Sequence, residues 1–410
     1  VITGHNFVIL STQDWDAMPT RKHRWARNWA RQGNRVLYVE QQMHWAGWLI
    51  DIRRQFGRAF RWLGGPREIE PNLWVFTLPV VLPFFQMNVA INWFNNLWLT
   101  WILRWAIKRV GMAQPILWTY TPHSADFVEG PSKRPFGFRK PEGSSKGKLG
   151  QTFTVYECVD EFSAAKGLVH GPTIAAMERE LLRKVDLTIV TAPALLENKA
   201  PFTRRCEVVR NGVDVEHFAR ASQPETVPPA AVANLPRPVV GFLGGVQYWI
   251  DFDLIAHAAR THPEWSFAFV GPVEPLARVD KVRGLPNVHF LGRQPYAQVP
   301  AYVAGFDVCI NPYILDDVAE KCDPLKLYDY LASGKPVVSV DMPAARRFAD
   351  LMPLTRTPDE FTHALENVLT QLGDSAARDG AVVRQRVATE HSWAARFKHV
   401  EAALESALPL

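Results

Sequence analysis

The chain has 410 residues, 47% of them hydrophobic and 21% charged. That is enough apolar material for two or three domains with sizeable cores, and it excludes an intrinsically disordered chain. The formal net charge of +5 hides an asymmetry, because Arg21 to Arg67 holds eleven basic residues against only Glu40 and Asp51, a balance that asks for an anionic partner.

The four cysteines (Cys158, Cys206, Cys309, Cys322) show neither paired nor metal-type spacing, so neither disulfides nor zinc is expected and a reducing, cytoplasmic setting is implied. No charged-then-apolar leader is visible behind Val1. Residues 7–10 read as a buried strand, 24–32 as a helix ended by Gly33, and 35–40 (RVLYVE) as a second strand. This is the opening of a doubly wound α/β sheet. Its first loop, DWDAMPTRKH, would face the ligand side and offers Trp15, Arg21, Lys22 and His23.

Ten of the fifteen tryptophans, from Trp25 to Trp105, fall in or just after the basic stretch. Indole interleaved with cations suits an anionic membrane surface. Nucleic acid is the competing partner and ranks lower, since no nucleic-acid motif accompanies these aromatics. From Pro71 to Leu103 there is no charge, yet Pro79, Pro83 and five amide side chains (Gln86, Asn88, Asn92, Asn95, Asn96) argue against a membrane span. The better parse is a strand at 73–77, a Pro-bounded loop, and an amphipathic helix over 88–110. Asn88, Asn92, Asn96, Thr100, Arg104 and Lys108 recur every fourth residue and form one polar stripe. The opposite face is rich in Trp and Leu. Such a face is usually core, with membrane contact as the other reading.

Residues 116–120 form a strand followed by a loop carrying His123, and 129–151, rich in Pro, Gly, Ser and Lys, reads as a flexible insertion. The next strand, 152–159, ends in Asp160-Glu161. Residues 178–185 are helix and 187–190 strand, and Asn211-Gly212-Val213-Asp214 closes the first domain, set at 1–220. Five prolines mark 221–238 as a linker.

The second domain, 239–392, opens with strand Val239 to Leu243 and the turn Gly244-Gly245, then a helix from about Asp253. This is a phosphate-cradle arrangement, although glycines alone are a weak signal. Asp251-Phe252-Asp253 spells a metal-binding pair but stands where a helix begins, so it reads as a cap. Strands at 266–270 and 288–292 follow, the latter ending in Arg293. Residues 307–310 are strand, 324–331 helix and 336–340 strand, with Gly334 as the left-handed stop. An acidic loop with Glu320 and Asp323 precedes that helix, on which Lys326 and Asp329 share one face. A final helix runs from Trp393 to about Ala407.

The segment from Phe306 to Asp341 resembles the donor-binding segment of retaining GT-B glycosyltransferases, the large family usually numbered four. Its pattern is Glu, seven residues, Glu, then a small-residue helix end and Gly-x-Pro-Val-Val. Asp329 stands at the second glutamate, the ribose ligand. Eight residues earlier is Lys321, flanked by Glu320 and Asp323, either of which could meet the donor sugar. Asn211 to Asp214 with Phe218 is similar to the family's first-domain closure. The resemblance implies two doubly wound Rossmann-like domains facing a cleft, with residues 393–410 packing back on the first. It implies retaining transfer of a sugar from a nucleotide diphosphate sugar to a glycan or polyprenyl-linked acceptor of surface polysaccharide, without a metal or other cofactor, and the basic, indole-rich stretch adds a peripheral place on the inner membrane face. Gly245 and Ile250 replace the family's usual diphosphate-binding Arg and Lys, shifting that role to Lys326, the Gly244–Gly245 turn and Arg293. Val159 replaces the usual cleft histidine while Asp160 is kept. Asp160 is then the acceptor-side base, and His123 a proton-transfer or donor-sugar candidate. A nucleotide-sugar epimerase and a non-catalytic scaffold of a glycan assembly complex are the alternatives.

Overall fold

A computed structural model describes residues 2–42, 60–128, 147–164 and 169–408, with side chains for all of these except 375–378. Trp45, Trp48, Arg53, Arg54 and Arg58 of the basic stretch, and most of the expected insertion, lie outside the described residues. The chain divides into two compact units, Val1–Arg210 with Phe397–Leu410, and Asn211–Arg396.

The first unit is built on eight strands: β1 (Asn6–Leu10), β2 (Arg35–Val39), β3 (Arg67–Glu70), β4 (Leu73–Phe76), β5 (Ile116–Thr119), β6 (Phe153–Cys158), β7 (Leu187–Val190) and β8 (Cys206–Val208). Their order is β3-β4-β2-β1-β5-β6-β7-β8, parallel throughout except for the antiparallel β3–β4 edge pair. Strands such as FVIL and VLYV are apolar on both faces because helices cover both sides of a parallel sheet. Among those helices are α1 (Arg21–Arg31), α2 (Val89–Arg109) and α3 (Gly171–Leu182). The strand order reverses between β1 and β5, so ligand-facing loops belong at the carboxyl ends of these two strands.

The second unit holds a wholly parallel six-stranded sheet, β11-β10-β9-β12-β13-β14, from β9 (Val239–Leu243), β10 (Ser266–Val270), β11 (Val288–Gly292), β12 (Val308–Asn311), β13 (Val337–Val340) and β14 (Leu354–Thr355). Its switch point lies between β9 and β12. Helix α4 (Phe252–Thr261) follows β9, and α5 (Leu325–Ala332) follows β12 and ends at Gly334 with φ 72°. Asp251 caps α4, its Oδ1 accepting from the Asp253 and Leu254 amides. The last helix, α6 (Trp393–Ala407), contributes Phe397 to the first unit, where its ring lies 5.7 Å from that of Trp25.

Two expectations need correction. Residues 221–238 are not a free linker: Ala221 and Val232 are buried in the core of the second unit, because this segment packs against Gly305, where a Cβ would meet Val232 and Pro228. The described part of the basic stretch is divided, with Arg31, Arg35, Arg61 and Arg67 exposed and its first two cations not. Arg21 and Lys22 are buried, Arg21 pairs with the fully buried Glu157, and Arg27 pairs with Glu70 at 2.7 Å. The second correction is that α2 is inverted. Asn92, Asn95, Asn96 and Thr100 are buried, while Phe94, Leu97, Trp101 and Trp105 are exposed. The amides are drawn inward by backbone groups that need partners. Asn92 and Asn96 both donate to the His123 carbonyl, at 2.9 and 2.8 Å, and Asn95 pairs with both the N–H and the C=O of Leu82.

Candidate functional site

In the second unit the site begins with why β9 must end in glycine. A Cβ on Gly271 would lie 1.9 Å from the Gly244 carbonyl oxygen, so the turn after β9 and the turn after β10 are pressed together. Gly244 itself has φ 126°, a conformation that L side chains rarely adopt. Its N–H donates to Val270 O, and the Val246 N–H to Pro272 O, at 2.9 and 2.8 Å. The Gly244 amide is therefore spent on the fold, whereas the N–H of Gly245 has no acceptor among the described hydrogen bonds.

Helix α5 places Lys326 directly over this turn. A Cβ on Gly244 would be 3.6 Å from Lys326 Cε. The ammonium donates to Tyr313 Oη at 2.9 Å and sits 4.5 Å and 5.0 Å from the ring centroids of Tyr313 and Phe242. Burial pushes its pKa down to about 8, opposed by the charges of Cys322 and Asp329. A lone cation among aromatic rings at a switch point is an anion-binding device, because attraction between charges grows as water is excluded. Asp329, one turn on, is half-buried on the same helix.

The two acids of the preceding loop are sorted by the structure. Asp323 is buried, its Oδ2 accepting from the Asn211 N–H at 2.6 Å and its Oδ1 from Tyr328 Oη at 2.7 Å. The Asn211 carboxamide returns a bond to the Asp323 carbonyl at 2.6 Å, and Arg347 stands 3.9 Å from the carboxylate. That carboxylate holds the Asn-Gly-Val-Asp turn and is not presented to a ligand. Glu320 is exposed on the short helix Asp317–Lys321, whose first turn is capped by Asp316. Arg293 is also exposed, but it follows β11, the edge strand two places from β9. At the usual strand spacing that is roughly 10 Å aside of the Gly244 turn.

In the first unit, α1 and the ends of β5 and β6 bring together Arg21, Lys22, Tyr120, Glu157 and Asp160. Glu157 is fully buried and accepts from the Trp25 indole at 3.2 Å and the Trp118 indole at 2.7 Å besides its pairing with Arg21. Lys22 lies 5.1 Å from the Tyr120 ring centroid. Burial lowers its pKa to about 8 against the pull of Asp160 and Glu157. Asp160 is exposed at its surface, with protein packed behind the carboxyl. That packing holds its carboxyl above the ordinary range, against the lowering influence of Lys22 and Arg21. Glu157 carried no signal in the sequence beyond being a carboxylate inside an apolar strand.

His123 is not poised for proton transfer near neutral pH. It is buried, its Nε2 lies 3.0 Å from Gln42 Oε1, and burial pushes its pKa down to about 4. The loop DWDAMPTRKH is ordered, with Trp15 edge-on to Tyr38 and beneath the Arg27 guanidinium. His23 closes the first turn of α1 by accepting from the Thr20 N–H at 3.2 Å.

Residues 237–371 match the family described as glycosyl transferases group 1. The chain is 26% identical over 267 residues to TuaH of Bacillus subtilis, assigned as a teichuronic acid biosynthesis glycosyltransferase. That alignment covers 60% of this chain and 65% of TuaH, so it spans less than two thirds of the relative's length. Among solved structures, sucrose-phosphate synthase from Thermosynechococcus elongatus aligns with a TM-score of 0.67 at 14% identity, covering 98% of this chain and 100% of that one. The Anabaena protein Alr3699/HepE, solved in complex with UDP-glucose, gives 0.61 at 14% identity over 98% and 99%. The Escherichia coli trehalose-6-phosphate enzyme bound to UDP-2-fluoro glucose gives 0.65 at 13% over 99% and 100%.

Proposed function

From the premise that this chain has the GT-B fold and carries a glycosyl transferases group 1 segment, we propose that it is a glycosyltransferase of polysaccharide biosynthesis. It uses a nucleotide diphosphate sugar and acts with retention. The observation that carries this is Lys326 seated over the Gly244 turn, a solitary cation among aromatic rings where a diphosphate would lie. As the leaving diphosphate gains charge, Lys326 and the Gly245 N–H stabilise it, an electrostatic role that needs no metal. Asp329 holds ribose hydroxyls and Glu320 meets the donor sugar. On the first unit, Asp160 takes the acceptor proton, its raised pKa bringing its basicity nearer the working pH. The UDP-sugar complexes of two structural neighbours support a nucleotide sugar as donor, and the teichuronic acid biosynthesis named for TuaH supports polysaccharide synthesis; the acceptor is a glycan or a polyprenyl-linked glycan. The enzyme works peripherally at the cytoplasmic membrane face.

Thermal-shift screening against nucleotide sugars tests the donor half. Stabilisation by one nucleoside diphosphate and its sugar is expected, with nucleotide release only when acceptor is present. Product from the donor alone would mark an epimerase. No response to any nucleotide would mark a scaffold.

A further inference from the structure

We propose that the outward face of α2 docks on an anionic lipid bilayer, with the helix lying in the headgroup plane. This rests on the reading of the protein as a membrane-peripheral enzyme and supplies its contact element. Phe94, Leu97, Trp101 and Trp105 fall on one side of the helix at spacings of three and four residues. They are strongly exposed, Trp101 to 70% and Phe94 to 54%. In the loop before the helix Phe84 is exposed as well. At the other end Gly65 backs onto Trp105, close enough that a Cβ would lie 3.0 Å from the indole, and Leu63, two residues before that glycine, is exposed. At the helical rise the stripe from Phe94 to Trp105 is roughly 17 Å long.

The inversion is fixed and is not a packing accident, because the amides of Asn92, Asn95 and Asn96 are bonded to backbone groups of neighbouring segments. Turning the tryptophans inward would leave those groups buried without partners. Charge selects the occupant. The helix contains no acid, and Arg104, Lys108 and Arg109 are exposed in its last turns beside Trp101 and Trp105. Indole beside cation matches the headgroup region, where rings sit at the interface and cations meet phosphate. A second copy of this chain laid on the same face would meet three cations with no acid to pair them. No helix among the described residues is long and apolar enough to cross a membrane, so the contact is one of lying on the surface.

The test is flotation of the full chain with phosphatidylcholine vesicles, with and without about 30% phosphatidylglycerol, from about 0.1 to 0.5 M salt. The wild type should float with the anionic vesicles and weaken as salt rises. Leu97→Ser/Trp101→Ser should bind at least about tenfold more weakly. Arg104→Glu/Lys108→Glu should lose more than about twentyfold, near fivefold for each cation removed. All four positions are solvent-facing, so both variants should keep the wild-type melting temperature and donor-induced shift. Flotation of either variant like wild type, equal wild-type binding to neutral vesicles, or a dimer that Leu97→Ser/Trp101→Ser makes monomeric, would overturn the proposal. Loss of flotation with the donor shift retained supports it. A wild type that floats as described but responds to no nucleotide sugar overturns the enzymatic reading alone.

Discussion

Removing the Lys326 ammonium perturbs the proposed donor site at a cation that burial has desolvated. The fall of its pKa from 10.5 to about 8 means that the folded protein holds this charge at a cost of about 3 kcal/mol at neutral pH, an upper figure because the side chain keeps some contact with water. The cost is recovered only when an anion arrives. Lys326→Ala should therefore leave the melting temperature of the ligand-free protein unchanged or raised. It should depress kcat/KM by about 2.7–4 kcal/mol, the range for loss of one transition-state donor, or roughly 100- to 1000-fold. The assay is nucleoside diphosphate release from the donor identified by thermal shift, with far-ultraviolet circular dichroism to show that the fold is kept. If kcat/KM stays within about twofold of wild type, less than about 0.5 kcal/mol, the diphosphate lies elsewhere and the mechanism fails. The pH dependence has two opposite signs. The folded pKa is below the unfolded one, so between about pH 8 and 10.5 the unfolded chain binds more protons and stability from this group rises with pH. Donor affinity needs the protonated amine, so it should fall as pH rises above about 8.

Asp329→Asn should mainly raise the donor KM with kcat little changed, because ribose hydroxyls are held equally in ground and transition states; a comparable loss in kcat would contradict that role. Asp323→Ala should destabilise the second unit by about 3–5 kcal/mol in urea unfolding, since it strands the Asn211 amide, Tyr328 and Arg347; a change under about 1 kcal/mol would show that the clamp is dispensable. For Asp160, kcat/KM should fall as pH drops through a value above the ordinary carboxylate range, and Asp160→Asn should remove that limb from a profile whose maximum is much reduced. Transfer should survive chelation of divalent cations, measured with added EDTA, and a strict manganese or magnesium requirement in the chemical step would sink the proposed electrostatic mechanism.

What could be read from residue order divides along a physical line. Parallel strands announce themselves because both faces are buried, so FVIL, RVLYV and VVGFL stand out as short β-branched runs bounded by glycine or polar loops. Gly334 and Lys326 were legible for a related reason, since a left-handed helix stop and a cation one turn into a helix are local features. Helix α2 shows what periodicity leaves open. Its pattern defines two faces but not which one turns inward, and the choice is made by carbonyls of His123 and Leu82, which lie in other segments. Asp323 was ambiguous for the same kind of reason: its partner Asn211 is 112 positions away.

Pairing decides whether a buried charge at a strand end serves structure or binding. Arg21 meets Glu157, donates to Val209 O at 3.0 Å, and has its field cancelled where it stands. Such a pair is costly to break and offers little to a ligand. Lys326 has the Tyr313 hydroxyl and two ring faces in contact, and Cys322 and Asp329 act on it as charges without an ion pair among the described contacts, so much of its field would be left for the proposed diphosphate. Lys22 lies between these cases, desolvated like Lys326 yet drawn by Asp160 and Glu157. When Asp160 takes up a proton, Lys22 loses the larger of its two counter-charges, and the proton's positive charge is held beside a cation. That arrangement favours passing the proton on over storing it, as a base that must turn over requires. For the proposed role of Asp160 as acceptor-side base, the upward shift of its carboxyl adds basicity and Lys22 favours release of the proton.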